Sequence, residues 1–458
     1  MRIQFDETNL LAEVVGRANG ISRAEAERSR GKALKALKAF QKQSEAGTYG
    51  FPHLPFQAAV IKEITNFAAK VRGGFDTVCV IGIGGSALGA WALDCAIRGP
   101  HPVQGTGTTE RPRLVILDNV DPTFTEQALA SMNREKTIVV VIAKSGGTAE
   151  TVATFLIVRE WLNDASRIIA VTTNGKGDLF ALAEKEGYRT FFIPENVGGR
   201  FSVLSPVGLV PAALAGIDIR KLCRGAAAMT HSSWQEDLAE NLALRSALYH
   251  WLVWTRKDKP IQVAFPYSNQ LWGTAFWFRQ LWAESLGKAR NRQGEAIYTG
   301  QTPVAALGAT DQHSQVQLYI EGPNDKVFTF WAVEKFSAAG KIPKVKTGLA
   351  AFDALAGQSL AKLIDAERRA TAAAMVANGR PNCTVTLGRV DEEHLGAFLQ
   401  MMEFETAFIG ELLGIDAFDQ PGVELGKKYT FALMGRPGYD EWRGQYADYE
   451  AKRKKASA

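Results

Sequence analysis

One acidic helix and a few glycine-bearing turns carry the side chains in this sequence best suited to chemistry. In FRQLWAESLGK, residues 278–288, a single carboxylate, Glu284, stands among apolar and aromatic neighbours. Such a group is either a helix residue that faces water or a base whose proton affinity an apolar setting has raised. Gln280 lies one helical turn earlier, so the two share a face. In ENVGGRFSVLSPVG, residues 195–208, Arg200 follows two glycines. A turn of that kind projects a guanidinium into a site or leaves an ordinary loop arginine on the surface. GATDQHSQVQ holds His313, which has the most polar surroundings of the six histidines. Its imidazole suits proton transfer near neutrality and equally suits a surface position. In FDQPGVELGKKY, residues 418–429, Gln420 and Lys427 stand seven residues apart. That is about two turns if a helix follows the proline; otherwise both are surface residues.

Two further turns are built for an anion. GIGGSA, residues 82–87, formally fits the dinucleotide pattern G-x-G-x-x-G/A, and places Gly85 and Ser86 where a strand gives way to a helix. The acidic residue that would hold a ribose about 20 positions on is missing; the next strand ends in Asp118, too far along. A sugar- or anion-binding turn, or a tight turn alone, fits better than a nicotinamide cofactor. AKSGGTAET, residues 143–151, combines Lys144, Ser145 and Thr148 with two glycines at a helix start. Hydroxyls, exposed amides and a helix dipole together make a phosphate cradle. Ser145 would also serve as a plain helix cap. Neither this stretch nor NGKGD contains a G-x-x-x-x-G-K-[ST] loop.

These turns need a scaffold. TVCVIGI, RLVILDNV, TIVVVIA, RIIAVTT and RTFFIP read as strands alternating with helices, which predicts an α/β fold with a parallel sheet covered on both faces. In such sheets ligands bind beyond the carboxyl ends of the strands. A second unit begins near Asp218, with PIQVAFPYS, VQLYIEG, KVFTFWAV and CTVTLGRV as strands. Helices are expected over 349–378 and in HLGAFLQMMEFETAFIGELLGI. The first fifty-odd residues read as helical and charged, and the basic tail AKRKKASA reads as a frayed, solvated end.

Composition narrows the function classes. The 458 residues suit two domains. A hydrophobic fraction of 46%, a charged fraction of 22% and a net charge of +5 describe a soluble globular protein with no bias toward nucleic acid. The four scattered cysteines form no CxxC pair and are expected reduced and mostly buried, with neither a disulfide framework nor a zinc site. MRIQFDETNL lacks the apolar core of a signal peptide, and no apolar run spans a bilayer, so a cytoplasmic protein without membrane contact is expected.

Together these stretches resemble the phosphoglucose isomerase family. VGGRFSVLSPVG and FDQPGVELGKK look like its two diagnostic segments, with IGIGGSALG, RQLWAESLGK and GATDQHSQ in the family's order around them. The resemblance implies two sugar-isomerase (SIS) domains, each a mainly parallel sheet with helices on both faces. Their expected bounds are 56–217 and 218–430, after a helical segment 1–55 and before a tail 431–458. It implies interconversion of glucose 6-phosphate and fructose 6-phosphate without metal or nucleotide cofactor. Ser145 and Thr148 would then bind phosphate beside the Lys144 backbone, and Gly85 and Ser86 would line the sugar. Glu284 would be the base, with Gln280 beside it. Arg200 would face the reacting carbons, His313 and Lys427 would open the ring, and Gln420 would hold substrate. A homodimer in which the histidine enters from the partner subunit is also implied. The sequence departs from the pattern at Ala143, where a serine is usual, and at Gly147, where a threonine is common.

The implied reaction needs these residue types. One base moves a proton between the carbonyl carbon and its neighbour. A fixed guanidinium stabilises the enediolate as charge develops. Ring opening needs a proton donor and an acceptor, and a bound remote phosphate holds the reacting carbons in place. A non-catalytic sugar-phosphate sensor on the same fold is the alternative, as is an isomerase that also accepts mannose 6-phosphate.

Overall fold

Five apolar segments of the first half assemble into one sheet. The computed structural model describes residues 2–100, 107–144 and 147–457. In it a short strand β1 (Ile3–Asp6) precedes β2 (Thr77–Ile81), β3 (Arg113–Leu117), β4 (Thr137–Ile142), β5 (Ile168–Thr172) and β6 (Arg189–Phe192). Strands β2 to β6 pair in the order β3-β2-β4-β5-β6, and every pairing is parallel. TVCVI, TIVVVI and IIAVT are buried along their whole length. They carry apolar or β-branched side chains on both faces because both faces are covered. The edge strand β6 buries only Phe191.

The second sheet draws on β7 (Ile261–Pro266), β10 (Thr302–Ala305), β11 (Lys326–Val333) and β12 (Asn382–Leu387), with a small antiparallel ribbon, β8 (Lys288–Arg290) and β9 (Ala296–Thr299), inserted between β7 and β10. Its order is β1-β12-β11-β7-β10, parallel except where β1 joins β12. The long helix Glu392–Leu413 is buried over nearly its whole circumference and packs along Ile219–Ser233. Contact there is backbone to backbone: a Cβ on Gly225 would sit 1.8 Å from the Glu393 carbonyl oxygen.

Three local expectations change. IQFD, inside the stretch read as helical, is a strand; its four residues are too few to announce a period, and pairing with β12 decides the matter. VQLYIEG, read as a strand, is the helix Val316–Glu321. Its polar positions repeat at helical spacing, and Gln317 donates to Glu321 one turn on at 2.8 Å. The basic tail does not fray but ends the helix Asp440–Ser457, none of whose residues is buried. After the proline of FDQPGVELGKKY the chain is helical, as the spacing of Gln420 and Lys427 requires: Gln420 is the N-cap of the 3-10 turn Pro421–Val423, which runs straight into the helix Glu424–Leu433 that carries Lys427.

By contact the chain divides into two units, Met1–Ala417 and Phe418–Ala458. The first holds both five-stranded sheets; the second holds the helices Glu424–Leu433 and Asp440–Ser457, joined by contacts such as Tyr429 with Trp442. All four cysteines are free and buried, and burial alone pushes the Cys79 and Cys223 thiols up to about 12. Among the described residues no helix is long and apolar enough to cross a membrane.

Candidate active site

The site is assembled at the carboxyl end of β2. There the chain turns through Gly82, Ile83 and Gly84 into the helix Gly85–Arg98. Gly84 has φ +57° and ψ −122°, a conformation open to glycine alone. A Cβ on Gly84 would meet Gln280 Nε2 at 2.9 Å. A Cβ on Gly85 would lie 2.2 Å from the carbonyl group of Gly199 and 2.8 Å from the Arg200 nitrogen. The two glycine turns singled out in the sequence therefore touch through bare backbone, and Gln280 closes against the first of them. Ser86 is half-buried in the first turn of the helix.

Arg200 sits in the short 3-10 turn Gly199–Phe201 and is 2% exposed. It is not the loop arginine of the plainer reading. Its Nε donates to Ser285 Oγ at 2.7 Å, Nη2 donates to the Ala417 carbonyl at 2.6 Å, and Nη1 faces Glu284 Oε2 at 3.3 Å. A buried guanidinium is tolerated because its donors are satisfied in this way.

Glu284 and Gln280 lie on one face of the helix Trp272–Leu286, and Gln280 Nε2 donates to Glu284 Oε1 at 3.4 Å. Gln280 Oε1 is buried and has no partner among the described residues, leaving an acceptor beside the carboxylate. Lys288 Nζ donates to the Glu284 carbonyl at 2.9 Å and holds the end of the helix. The apolar setting expected for Glu284 is not what surrounds it. Leu281 and Trp282 are fully buried and turn into the core, where Trp282 Nε1 donates to Gln301. The Glu284 side chain keeps 32% exposure and has a guanidinium and an amide as neighbours.

Lys144 follows β4, and its carbonyl accepts from Thr173 Oγ1 at 2.9 Å. Its ammonium donates to the Glu195 and Val197 carbonyls. Burial pulls the Lys144 pKa down, and the nearby Glu195 carboxylate works against that. Thr148 is the N-cap of the helix Ala149–Leu162, and its hydroxyl makes no capping bond among the described residues. Ser145 lies outside the described residues. Ala143 is buried, while a Cβ on Gly147 would meet none of the described residues within 4 Å.

His313 ends the turn Thr310–His313, which is pinned by Asp311 accepting from the Leu307 amide and by Tyr267 donating to Gln312. The His313 side chain is exposed and makes no hydrogen bond among the described residues. It is not joined to Glu284 or Arg200. In the second unit Lys427 pairs with Glu424 at 2.8 Å on an exposed helix face. Among the described residues no group of three or more His, Cys, Asp or Glu side chains is placed to hold a metal ion.

Sequence reasoning missed Ser285, the Ala417 carbonyl and the Lys144 ammonium. Ser285 alone left a signal, as a polar side chain next to Glu284 inside an otherwise apolar helix.

The phosphoglucose isomerase family model matches residues 47–448. The chain belongs to the phosphoglucose isomerase family. Glucose-6-phosphate isomerase of Carboxydothermus hydrogenoformans is 44% identical over 423 residues, covering 90% of each chain. A glucose-6-phosphate isomerase of Thermus thermophilus is 39% identical over 396 residues, 85% of this chain and 91% of its own. Among solved structures, a hypothetical protein of Thermus thermophilus superposes with a TM-score of 0.82 at 36% identity, covering 94% of this chain and 100% of that one. A glucose-6-phosphate isomerase of Chlamydia trachomatis superposes with a TM-score of 0.75 at 26% identity, covering 86% of this chain and 76% of its own. Membership in the phosphoglucose isomerase family accounts for the α/β architecture, parallel sheets flanked by helices.

Proposed function

We propose that this protein interconverts glucose 6-phosphate and fructose 6-phosphate through an enediolate, in the cytoplasm, as a step of glycolysis and gluconeogenesis. The observation that carries the proposal is the facing pair Glu284 and Arg200, 3.3 Å apart beside the Gly82–Ser86 turn. A base next to a fixed cation is what aldose–ketose exchange requires. Glu284 takes a proton from one carbon of the open-chain sugar and returns it to the adjacent carbon. Arg200, buried and held in orientation, stabilises the oxygen that becomes negative, where a low dielectric strengthens the interaction. Substrate enters between two groups that hold each other in the free protein, so Arg200 exchanges part of its contact with Glu284 for contact with the sugar oxygens.

The remaining roles follow the family pattern. Thr148, Ser145 and the Lys144 backbone hold the phosphate, and Gly85 and Ser86 line the sugar. Gln280 and Gln420 hold hydroxyls. His313 and Lys427 open the ring. In a homodimer the partner subunit's His313 enters the site; the exposure of the His313 side chain and its lack of a hydrogen-bond partner among the described residues support that arrangement.

The test is a coupled assay that follows glucose 6-phosphate formed from fructose 6-phosphate, repeated with Glu284→Gln. The variant is expected to lose about 10²- to 10⁴-fold in kcat with little change in KM. Full activity in a folded Glu284→Gln protein would remove Glu284 as the base. Thermal stabilisation by fructose 6-phosphate with no turnover in the unaltered protein would make it a sensor.

A further inference from the structure

The isomerisation scheme uses the Lys144 backbone and gives its side chain no part. That side chain is not idle. Its Nζ donates to the Glu195 carbonyl at 2.7 Å and to the Val197 carbonyl at 2.9 Å. Lys144 lies just past β4, and the 195–197 segment leaves β6 and runs directly into the Gly198–Gly199 turn that carries Arg200. The lysine's own carbonyl is fixed by Thr173, just past β5. One residue thus ties the carboxyl ends of three parallel strands, and its acceptors are main-chain atoms three and five residues from the catalytic guanidinium.

We infer that Lys144 is a positioning residue, whose ammonium sets the place of the Arg200 turn relative to the backbone proposed to hold the substrate phosphate. The inference rests on the roles proposed above for Arg200 and that backbone. A cation suits this role because charge-assisted bonds to two carbonyls are stronger than neutral ones. One ammonium with three donors also reaches both acceptors at once. The nearby Lys176–Glu195 pair does not serve the same end, because both side chains are about two-thirds exposed, at 64% and 63%, and join only side chains. The bare contact of Gly85 with Gly199 and the Arg200 nitrogen braces the same turn from the opposite motif, so both anion-binding turns converge on Arg200. Binding the remote phosphate then helps to fix the group that acts on the reacting carbons, which turns binding energy into rate.

The test uses the full chain and five variants, with kcat and KM for fructose 6-phosphate, the inhibition constant of inorganic phosphate and a thermal melt measured for each. Lys144→Met is expected to lose about 10- to 100-fold in kcat, the effect of a small misplacement at the reacting end. Its inhibition constant for phosphate stays within about threefold, since the ammonium bonds to protein carbonyls and not to the anion. Lys144→Arg, which keeps a charged donor, recovers most of the lost kcat, and Lys176→Met leaves kcat unchanged. Two results overturn the inference: an unchanged kcat in folded Lys144→Met, or a loss of phosphate inhibition that matches the loss of kcat, which would make the ammonium a direct phosphate ligand. If Lys144→Met does not fold, Thr173→Val loosens the same lysine from its backbone anchor. A smaller fall in kcat then supports the strut, and none overturns it. If Arg200→Lys proves fully active, the proposed site itself fails. If Arg200→Lys is impaired and Lys144→Met is not, only this inference fails.

Discussion

Glu284 and Arg200 meet at 3.3 Å although 84 positions separate them in the chain. The arginine is fixed twice more, by Ser285 Oγ and by the Ala417 carbonyl, so its plane is set before substrate arrives. Adjacent residues of one helix, 284 and 285, thus hold both the carboxylate and the group that orients its partner.

Arg200→Lys follows from that arrangement. A lysine carries one charged nitrogen on a flexible stem and cannot reproduce three bonds made in one plane. The expected loss is about 10²- to 10³-fold in kcat, as for removal of an oxyanion donor. Steady-state kinetics of the folded variant provide the check. A change confined to KM would mean that Arg200 only binds.

Gly85→Ala tests the contact between the two glycine turns. The new methyl would fall 2.2 Å from the Gly199 carbonyl group, and both neighbours are backbone, so neither can swing aside. Overpacking of this kind is expected to destabilise by about 1–3 kcal/mol, together with a fall in kcat as the Arg200 turn shifts. Denaturant unfolding and the coupled assay read the two effects. A variant with the stability and rate of the parent would show that the turns do not meet.

Gly147→Thr adds a hydroxyl where none stands now. A Cβ there meets no atom of the described residues within 4 Å, so none of them opposes the substitution. The expected outcome is a KM for fructose 6-phosphate lowered by about three- to tenfold, less than a full hydrogen bond to a charged group because the added side chain must be ordered. A KM that holds or rises would place residue 147 away from the phosphate.

Glu403 offers a pH-dependent prediction. It is fully buried on the helix Glu392–Leu413, and neither carboxyl oxygen has a partner among the described residues. Burial holds its pKa well above the ordinary carboxylate value of 4.5. The native state therefore keeps a proton that the unfolded chain releases, and stability falls as pH rises from 4.5 toward the native value. Glu403→Gln removes that loss. Its melting temperature is expected to exceed that of the parent at about pH 8 and to approach it near pH 4. An equal difference at both pH values would contradict a buried neutral acid.

Much of the first sheet was legible because TVCVI, TIVVVI and IIAVT are continuous apolar runs, which only a strand covered on both faces makes sense of. VQLYIEG was misread because seven residues are too few to separate the two periods, and the choice fell to the surroundings. Residues 302–305 escaped notice for the same reason: TPVA carries no pattern of its own and becomes a strand by pairing with β7.

By itself the sequence determined the motif order, the alternation of strands and helices, and the shared face of Gln280 and Glu284, since four-residue spacing is a property of any helix. It also carried the glycines that let backbones approach. Only the tertiary structure decided what those glycines meet and which groups hold Arg200. It decided as well that Glu284 keeps a polar, partly open setting, and that Lys144 reaches across to the turn before Arg200. These relations join residues from about fifty to more than two hundred positions apart. No local period encodes them; they exist because parallel strands bring their carboxyl ends to one edge, where loops distant in the chain come within hydrogen-bond reach.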